Sequence, residues 1–522
     1  MGYRVLIPTA GIGSRLGDMT RFINKSLVSV ANRPILSHII ELFPTDTDFV
    51  IALGHKGHLV REFLELAYPE RTFFYADVDP FEGPGSGLGL SILSCIQYLQ
   101  QPFIFISCDT LVKNIIPAPT ENWMGYAELS ELDQYRTMKV ASAEVLSICE
   151  KGVGKIGTHK PYIGLAGIKD YKEFWDAMKR GGEEAVLTGE SHGLRSLIGK
   201  KIKAFEFSWY DTGIPTALAK TREAYREADE PNILEKANEA IWFVKNRVIK
   251  FSDDKKFIRN RIARASNISE YIPEIVGSKT NMYAYKKVDG RIMSEAVTLP
   301  LFKELLDYSN KFWQTYKLNE NELSEFRNTC MKFYKDKTIE RIDLFFKNFH
   351  KTDGAEKING VSMPTIKKIL NDIDWNWLAD GLPGRFHGDF HFENILYSEA
   401  ENKFTFLDWR QEFGGLMKTG DIYYDLAKLL HGLIVCHELI AENKFWVQWT
   451  DREIRYDLLR KQILVKCEQV YSDWLIENGY DRKKVWVLTA LVYLNIAALH
   501  HYPYSLMLYT LGKEMLFEII EE

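Results

Sequence analysis

The stretch RFHGDFHFENILY, residues 385–397, brings together two histidines, an aspartate, a glutamate and an asparagine. His387 and His391 are four residues apart, a spacing that can bind zinc when both lie on a helix. Gly388 and the surrounding aromatic residues argue against a helix, and the HExxH pattern is absent. The stretch therefore predicts a loop with a different chemistry.

The informative spacing is the five residues from Asp389 to Asn394, with His387 two residues before the aspartate. This is the H-x-D-x-x-x-x-N pattern of the catalytic loop in kinase-like phosphotransferases. Phosphoryl transfer from ATP needs a carboxylate that orients or deprotonates the attacking hydroxyl, and oxygen ligands for Mg²⁺. Asp389 fits the first role and Asn394 the second. Downstream, KFTFLDW places Asp408 where a second metal ligand is expected.

Residues 244–522 resemble the aminoglycoside phosphotransferase and choline kinase family, most specifically over residues 385–430, through FHGDFHFENIL, FLDW and GDIYYDLAKLL in that order. The resemblance implies a two-lobed, α+β protein-kinase-like fold that uses ATP. It implies that Asp425 braces the catalytic loop and that Lys250, in the strand NRVIKF, binds the nucleotide phosphates. The glutamate that usually pairs with this lysine is not evident, because the next helix is basic and Glu270 is the first carboxylate after Asp254.

The chain as a whole has 522 residues, 46% hydrophobic and 26% charged, with a formal net charge of −5. This length suggests two or three domains. The negative balance disfavours nucleic-acid binding, which needs a basic field. No signal peptide or membrane span is predicted, since the most apolar late segment, VWVLTALVYLNIAALHHYPY, carries Asn495 and two histidines. We expect a cytoplasmic protein without membrane insertion; a homo-oligomer is compatible with the sequence.

Apolar runs alternate with helix-like segments over residues 1–225. RVLIPTA, DFVIALG, TFFYADV and PFIFISCD predict buried strands, and RPILSHIIELF and GHLVREFLELAY predict helices. This alternation is typical of an α/β, doubly wound, Rossmann-like domain. Residues 226–243 predict a linker helix. Residues 244–522 predict the kinase-like domain, with an N-lobe at about 244–292 and a helical C-lobe at about 293–522.

The first predicted strand runs into a glycine-rich loop that contains Gly11, Gly13, Ser14 and Arg15. The Rossmann pattern GxGxxG is excluded because Leu16 occupies its last position, and a Walker loop is excluded because no Gly-Lys-Ser/Thr follows. What remains is a loop whose backbone N–H groups can bind phosphate, with Lys25 ten residues after Arg15.

Two aspartates accompany this loop. FIFISCDTL ends a hydrophobic strand at Asp109, at the sheet edge where ligands bind in such folds, and WYDTGIP supplies Asp211. A second glycine-rich loop, GPGSGLGLSI, leads into a helix. Two carboxylates that share Mg²⁺, a phosphate-binding loop and a lysine suit attack on the α-phosphate of a nucleoside triphosphate.

Residues 1–225 resemble the sugar-phosphate nucleotidyltransferase family, through AGIGSRLGDMTRFINKSL, the strand-end aspartate, WYDTGIP and CEKG at 149–152. The resemblance implies triphosphate binding by Gly11, Gly13, Ser14 and the catalytic cations Arg15 and Lys25, Mg²⁺ binding by Asp109 and Asp211, nucleobase or ribose contacts from Gly85, Ser86 and Gly87, and substrate contacts from Glu150 and Lys151. Two departures from the family pattern, Asn24 and Gly152, each replace a proline.

Together the two resemblances imply consecutive reactions. The carboxy-terminal half would phosphorylate a small alcohol (a polyol, sugar or amino alcohol) with ATP. The amino-terminal half would couple the resulting phosphate to a nucleotide and release pyrophosphate, for surface polysaccharide or lipid precursor synthesis. CTP is expected, because kinases of the choline type are commonly paired with cytidylyltransferases; UTP is the alternative. Alternatively, the kinase-like half is a non-catalytic binding or regulatory module.

The carboxy-terminal region is also rich in aromatic residues, namely Trp446, Trp449, Tyr493, Tyr502 and Tyr504. Aromatic side chains can form a cage around a quaternary ammonium group. At helical spacing they are more often part of a hydrophobic core, so both interpretations stay open on the sequence.

Overall fold

The computed structural model describes residues 2–226, 236–451 and 453–521. The chain divides into two compact units: Met1–Ile258 with Ile275–Lys287, and Arg259–Glu274 with Val288–Glu522. The strands on either side of residue 245 group with the first unit. The predicted division into 1–225, 226–243 and 244–522 stays a prediction.

The first unit contains both strands and helices. Its strands are β1 (Arg4–Pro8), β2 (Ser29–Val30), β3 (Arg33–Pro34), β4 (Asp48–Leu53), β5 (Phe73–Asp77), β6 (Phe103–Ile106), β7 (Thr110–Val112), β8 (Trp123–Tyr126), β9 (Thr137–Ala141), β10 (Glu144–Cys149), β11 (His159–Ile168), β12 (Lys203–Glu206), β13 (Trp209–Asp211), β14 (Glu239–Val244), β15 (Arg247–Ser252), β16 (Ile275–Ser278) and β17 (Met282–Lys286). Its helices are α1 (Ile35–Ile40), α2 (Gly57–Ala67), α3 (Leu88–Leu93), α4 (Tyr171–Arg180), α5 (Gly182–Thr188), α6 (Glu190–Arg195) and α7 (Pro215–Tyr225), and α8 (Lys255–Ala265) begins in it.

The main sheet has the strand order β5-β4-β1-β6-β11-β8-β12-β10-β9. The four strands β5, β4, β1 and β6 are parallel, and they coincide with the four predicted strands. In β1, Val5 and Ile7 belong to the core that contains α1 and α2, whereas Leu6 belongs to the core that contains α4. Because successive side chains of a strand point to opposite faces, an uninterrupted apolar run fits a strand covered on both sides. The predicted α/β class is confirmed.

A separate antiparallel sheet, in the order β14-β15-β17-β16, packs on α2. The ring of Trp242 in β14 lies edge-on to Phe63 of α2, with ring centres 5.3 Å apart. Of the predicted linker helix, residues 227–235 lie outside the described residues. The prediction is wrong for residues 239–243, which belong to β14. Trp242 and Val244, two residues apart, are both fully buried. Residues two apart lie on the same face of a strand but not of a helix.

The second unit is mainly helical. Its helices are α9 (Met293–Ala296), α10 (Leu299–Phe312), α11 (Glu320–Met331), α12 (Lys337–Phe349), α13 (Ile366–Asn371), α14 (Trp375–Ala379), α15 (Ile422–Ile434), α16 (His437–Ala441), α17 (Gln462–Glu477), α18 (Arg482–Ala497) and α19 (Tyr504–Glu521). Its strands are β18 (Arg291–Ile292), β19 (Glu356–Ile358), β20 (Val361–Met363), β21 (Pro383–Gly384), β22 (Ile395–Ser398), β23 (Lys403–Phe406), β24 (Gly420–Asp421), β25 (Phe445–Trp449) and β26 (Glu453–Leu458).

The loop of residues 385–394 lies between β21 and β22, and β22 continues into β23 as a hairpin. The apolar segment near the carboxy terminus forms α18, which is buried between α12, α15 and α19. Over the described residues, we find no helix with both the length and the apolar character needed to cross a bilayer.

Candidate active sites

The carboxylates of Asp109 and Asp211 lie next to each other in the first unit. Asp109 follows β6, and Asp211 ends β13, which pairs with β7 so that Asp211 lies opposite Thr110. The N–H of Gly213 donates to Asp211 Oδ1 at 2.7 Å. A Cβ atom on Gly213 would lie 3.0 Å from Asp211 Oδ1 and 3.3 Å from Asp109 Oδ2. Both carboxylates therefore converge on one glycine, and the oxygen ligands that they offer suit Mg²⁺.

Lys25 forms an ion pair with Asp109. Burial alone would lower the pKa of Lys25, but the charge and hydrogen bond of Asp109, together with the charges of Cys108 and Asp211, raise the pKa above its ordinary value. Burial raises the pKa of Asp109, but the charge and hydrogen bond of Lys25, together with hydrogen bonds from Ser107 and the backbone, lower the net pKa. Burial raises the pKa of Asp211. At neutral pH the pair Lys25–Asp109 is thus fully charged.

The departure at Asn24 has a structural explanation. This buried side chain donates to the carbonyl oxygens of Thr9, at 2.9 Å, and His55, at 2.7 Å. Its Oδ1 accepts from the N–H of Ser26 at 2.9 Å. Asn24 thereby ties the short 3-10 turn that carries Lys25 to the end of β1, which fixes the position of the lysine in place of a proline.

The two glycine-rich loops need glycine for different reasons. Gly13 has a φ of 73°, in the left-handed region, and a Cβ on it would lie 2.9 Å from Lys25 Cβ. Gly87 precedes α3, where a Cβ would lie 2.4 Å from the carbonyl oxygen of Val186. Gly11, Ser14 and Arg15 are exposed on the first loop, as is Gly85 on the second, where the Ser86 hydroxyl donates to the Gly83 carbonyl at 2.7 Å.

A cavity of about 200 Å³ opens beside the two aspartates. It brings together four of the predicted residues, namely Arg15, Lys151, Asp109 and Asp211. Glu150 does not line it. This exposed carboxylate instead forms ion pairs with Arg195 and, at 3.3 Å, with Arg136, which does line the cavity.

The cavity is also lined by residues that the sequence did not single out, among them Tyr135, Arg136 and Glu190. The hydroxyl of Tyr135 donates to Asp211 Oδ2 at 3.2 Å. Glu190 begins α6 and is only 4% exposed; burial raises its pKa to about 7. Its Oε2 has no hydrogen-bond partner among the described residues. Glu190 lies in an ordinary-looking helical segment, so nothing local in the sequence marked it.

In the second unit, Asp389 and Asn394 are in direct contact. The Asn394 Nδ2 donates to the Asp389 carbonyl oxygen at 2.9 Å and to its Oδ2 at 3.2 Å. Asp425 braces the loop from α15: its carboxylate accepts from the N–H groups of His387 and Gly388, at 2.5 and 2.6 Å. Burial raises the pKa of Asp425 to about 6. These hydrogen bonds are those of a brace, the role that the resemblance implies for this residue.

The histidines of the loop do not lie on a helix, and each is held by hydrogen bonds. His387 is fully buried, its Nδ1 accepts from the Asp389 N–H at 3.2 Å, and burial lowers its pKa to about 3. His391 Nδ1 lies 2.8 Å from Glu393 Oε2. Burial lowers the pKa of His391, but the charge and hydrogen bond of Asp389, together with the hydrogen bond to Glu393, raise the pKa to about 9. Glu393 and His437 lie close enough to His391 to share a metal ion with it.

Asp408 follows β23 in a left-handed conformation, with a φ of 56°. Such a φ is uncommon outside glycine and is often found at functional sites. Arg261 of α8 lies 3.4 Å from Asp408 Oδ1 and donates to the Trp409 carbonyl at 2.7 Å. Helix α8 contains no carboxylate, and Glu270 is exposed in a turn beyond its end. The first unit holds Lys250, buried in β15 opposite Ile241 and Tyr283.

Lys428 is a buried cation that the sequence did not single out. Its Nζ lies 2.9 Å from Asp389 Oδ1. Burial would raise the pKa of Asp389, but Lys428, followed by His391, holds this pKa well below its ordinary value. A sequence signal existed, because Lys428 follows Asp425 by three residues on α15 and therefore lies on the same face of the helix.

The aromatic residues proposed as a cage do not form one in the described residues. Tyr493 is fully buried and its hydroxyl donates to the His431 carbonyl, whereas Trp446 and Tyr502 are exposed. Trp449 stacks on Tyr509, which is a core contact. The core interpretation therefore holds for Trp449 and Tyr493 and not for the exposed Trp446 and Tyr502.

The comparison with protein families matches residues 350–471 to the family described as "Phosphotransferase enzyme family". The matched segment contains the loop of Asp389 and Asn394, Asp408 and Asp425. Over a stretch of 62 residues, the chain is 32% identical to the glucose-1-phosphate cytidylyltransferases of Salmonella typhimurium and Salmonella typhi, which is 12% of this chain. The chain spans about a quarter of the length of these curated relatives, 24%.

Among solved structures, a UDP-glucose pyrophosphorylase complexed with UDP-glucose is 17% identical, with a TM-score of 0.38, over 43% of this chain and 98% of that chain. The CTP:phosphocholine cytidylyltransferase of Streptococcus pneumoniae is 14% identical, with a TM-score of 0.37, over 43% of this chain and 100% of that chain. The family match and the curated relatives support a transferase that fuses a nucleotidyltransferase-like part with a phosphotransferase-like part.

Proposed function

We propose that the chain is a bifunctional transferase that phosphorylates a small alcohol with ATP and then couples the phosphate ester to a nucleotide. One observation carries this proposal: each unit has its own aspartate held by a lysine, Asp109 by Lys25 and Asp389 by Lys428. Ionised carboxylates fixed beside cations are what reactions at phosphate groups need. Two such sites in one chain suit two reactions.

In the kinase step, Asp389 accepts the proton of the acceptor hydroxyl. The oxygen of that hydroxyl attacks the γ-phosphorus of ATP, and the bond from the γ-phosphorus to ADP breaks. Lys428 keeps Asp389 ionised and orients it. Asn394 and Asp408 offer the oxygen ligands that Mg²⁺ prefers, and the metal, when bound, offsets the charge of the phosphates. Lys250 would bind the nucleotide phosphates.

In the nucleotidyl transfer step, a phosphate oxygen of the first product attacks the α-phosphorus of the second nucleotide, and the bond to pyrophosphate breaks. Arg15 and Lys25 neutralise phosphate charge, and the loop of Gly11, Gly13 and Ser14 binds the triphosphate through its N–H groups. Asp109 and Asp211 would hold Mg²⁺, which supplies further charge compensation when bound. Gly85, Ser86 and Gly87 would approach the nucleobase or ribose, and Lys151 the substrate.

For the second nucleotide we favour CTP over UTP, since the curated relatives are cytidylyltransferases. The product would be a nucleoside diphosphate–alcohol, the kind of activated compound used as a precursor of surface polysaccharide or lipid. Both reactions consume nucleoside triphosphates, and we accordingly expect the enzyme to act in the cytoplasm.

A second candidate is a nucleotidyltransferase with a non-catalytic kinase-like part. It is favoured by α8, which has no carboxylate to pair with a nucleotide-binding lysine and instead places Arg261 beside Asp408.

Two variants of the full chain separate these proposals. Asp389→Asn should abolish acceptor-dependent ADP release and leave pyrophosphate release from the nucleotide and a phosphorylated alcohol intact. Asp109→Ala should do the reverse. ADP release that persists in Asp389→Asn with every acceptor would refute the kinase, and pyrophosphate release that persists in Asp109→Ala would refute the nucleotidyltransferase.

A further inference from the structure

We infer that the alcohol phosphorylated by the second unit carries an anionic group, a carboxylate or a phosphate, which binds among Lys337, Arg341 and Arg410 while its hydroxyl lies at Asp389. The inference rests on the proposed kinase activity and names the substrate class of that site. It follows from a cavity, from the charges that line it and from the helix that places them.

The cavity has a volume of about 120 Å³ and is lined by Lys428, the partner of Asp389. Four of its lining residues are cations, namely Lys337, Arg341, Arg410 and Lys428, and none of its described lining residues is acidic. A ligand in this cavity therefore lies against Lys428, the partner of the proposed base, in surroundings that attract negative charge.

Within the part of the chain that the structure describes, Arg410 is compensated from a distance, because the neighbouring Tyr424, Asp389 and Asp425 raise its pKa. Lys428 is paired with Asp389, whereas no carboxylate there forms an ion pair with Lys337, Arg341 or Arg410. The ammonium of Lys337 lies 4.0 Å from the centre of the Phe333 ring. Burial, followed by the charge of Arg410, lowers the pKa of Lys337 to about 7. Half-buried like charges repel one another, and an anion bound among them removes this repulsion.

The start of helix α12 places two of these cations, Lys337 and Arg341, at the cavity. A π-helical segment, Lys332–Asp336, joins α11 to α12, and such segments are frequent at functional sites. Lys337 follows it directly and Arg341 stands four residues later, on the same face. Like charges at this spacing destabilise a helix, and an anion bound between them would offset that cost.

A polar group that lacks a partner completes the site. Asn495 of α18 lines the cavity and donates from Nδ2 to Thr338 Oγ1 and to the Leu491 carbonyl, both at 2.7 Å. Its Oδ1 is buried without a hydrogen-bond partner among the described residues. It can accept a hydrogen bond from a second hydroxyl of the ligand.

The charge of the cavity selects among acceptors. A quaternary ammonium or an aminosugar would be repelled by Lys337, Arg341 and Arg410, and a neutral polyol would leave these three without an ion-pair partner. An acceptor that carries a carboxylate or phosphate compensates them. In the reaction its hydroxyl oxygen forms the new bond to the γ-phosphorus, ADP leaves, and the hydroxyl proton passes through Asp389 to solvent.

The experiment measures ADP release by the full chain with acceptors matched in size and different in charge. Glycerate and gluconate test the carboxylate, glycerol 3-phosphate tests the phosphate, and glycerol, glucitol, ethanolamine and choline are the neutral and cationic counterparts. We expect kcat/KM at least tenfold higher for an anionic acceptor than for its neutral counterpart. Arg341→Gln should raise the KM for that acceptor at least tenfold and leave the KM for ATP unchanged.

Lys347→Gln is the matched control, because this lysine is exposed on the same helix and does not line the cavity. Arg341→Lys should restore part of the affinity. Preference for a neutral or cationic acceptor, or a KM that Arg341→Gln leaves unchanged, would overturn the inference while the kinase stands. If ADP release with every acceptor is independent of Asp389, the proposed function fails, and the inference fails with it.

Discussion

Lys428 Nζ lies 2.9 Å from Asp389 Oδ1, and the same helix, α15, supplies Asp425 to the backbone of the loop that carries Asp389. One helix therefore fixes both the position and the charge of the proposed base. Asp425 accepts two backbone N–H groups, and Lys428, one turn later, holds the carboxylate itself. The loop and the helix form one functional element of the second unit.

Replacing Lys428 should therefore change the pH dependence of the kinase as well as its rate. In Lys428→Met the pKa of Asp389 rises, because burial is then opposed mainly by His391. A base must be deprotonated to act, so the acidic limb of the kcat–pH profile should move to higher pH, with kcat lower by roughly 10–100-fold. Lys466→Met, an exposed lysine of the same unit, should change neither. A fall in kcat without movement of the limb would show that Lys428 acts only on structure.

Gly213 should be intolerant of even one added methyl group. In Gly213→Ala the Cβ lies 3.0 Å from Asp211 Oδ1 and 3.3 Å from Asp109 Oδ2, so each carboxylate must shift by a few tenths of an ångström. Because a displacement of about 1 Å at reacting groups costs about 100-fold in rate, this smaller shift should lower pyrophosphate release by roughly three- to tenfold. The control is Gly199→Ala, where a Cβ meets open space. Unchanged pyrophosphate release in Gly213→Ala would contradict the paired metal site.

Glu190 should make the first unit less stable as the pH rises. Its folded pKa of about 7 is above the ordinary value of 4.5, so the protonated form favours the folded state. This stabilisation is complete below about pH 4.5 and is lost as the pH rises through about 7, by roughly 3 kcal/mol. Glu190→Gln does not ionise, so its melting temperature relative to the wild type should rise between pH 5 and pH 8.

The matched control for this measurement is Glu183→Gln, an exposed glutamate on α5. Its melting temperature should follow that of the wild type over the whole pH range. A constant difference between Glu190→Gln and the wild type from pH 5 to pH 8 would mean that Glu190 is already ionised in the folded state.

Lys337 should make acceptor binding depend on pH. Burial and the facing charges of Arg410, Arg341 and Lys428 lower its pKa to about 7, so it loses its charge as the pH rises through 7. The KM for an anionic acceptor should therefore increase between pH 6 and pH 8, and the KM for ATP should not. Lys337→Gln should have a high KM at pH 6 and a flat profile. A wild-type KM that is independent of pH would exclude a titrating lysine at the acceptor.

Contiguous motifs were accessible from the sequence because the chemistry that they carry is local. Asp389 and Asn394 are five residues apart in one loop and contact each other. Asp109 and the first glycine-rich loop each follow an apolar run that predicts a buried strand. The alternation of strands and helices over residues 1–225 likewise follows from hydrophobic periodicity. Residues 239–243 were predicted to be helical because the charged residues and alanines before them favour a helix. In β14 only Trp242 and Val244 are fully buried, so the alternation typical of a strand is short.

The sequence by itself determined the two kinds of chemistry, since each depends on residue types at fixed spacing within one segment. Only the tertiary structure decided which distant residues complete each site. Glu190 and Tyr135 reach the cavity of Asp109 from separate elements, and Lys337, Arg410 and Lys428 come from two helices and a loop. Whether these residues come together depends on how the helices and strands pack. Packing therefore sets the charge around a bound substrate, and no single stretch of the sequence shows it.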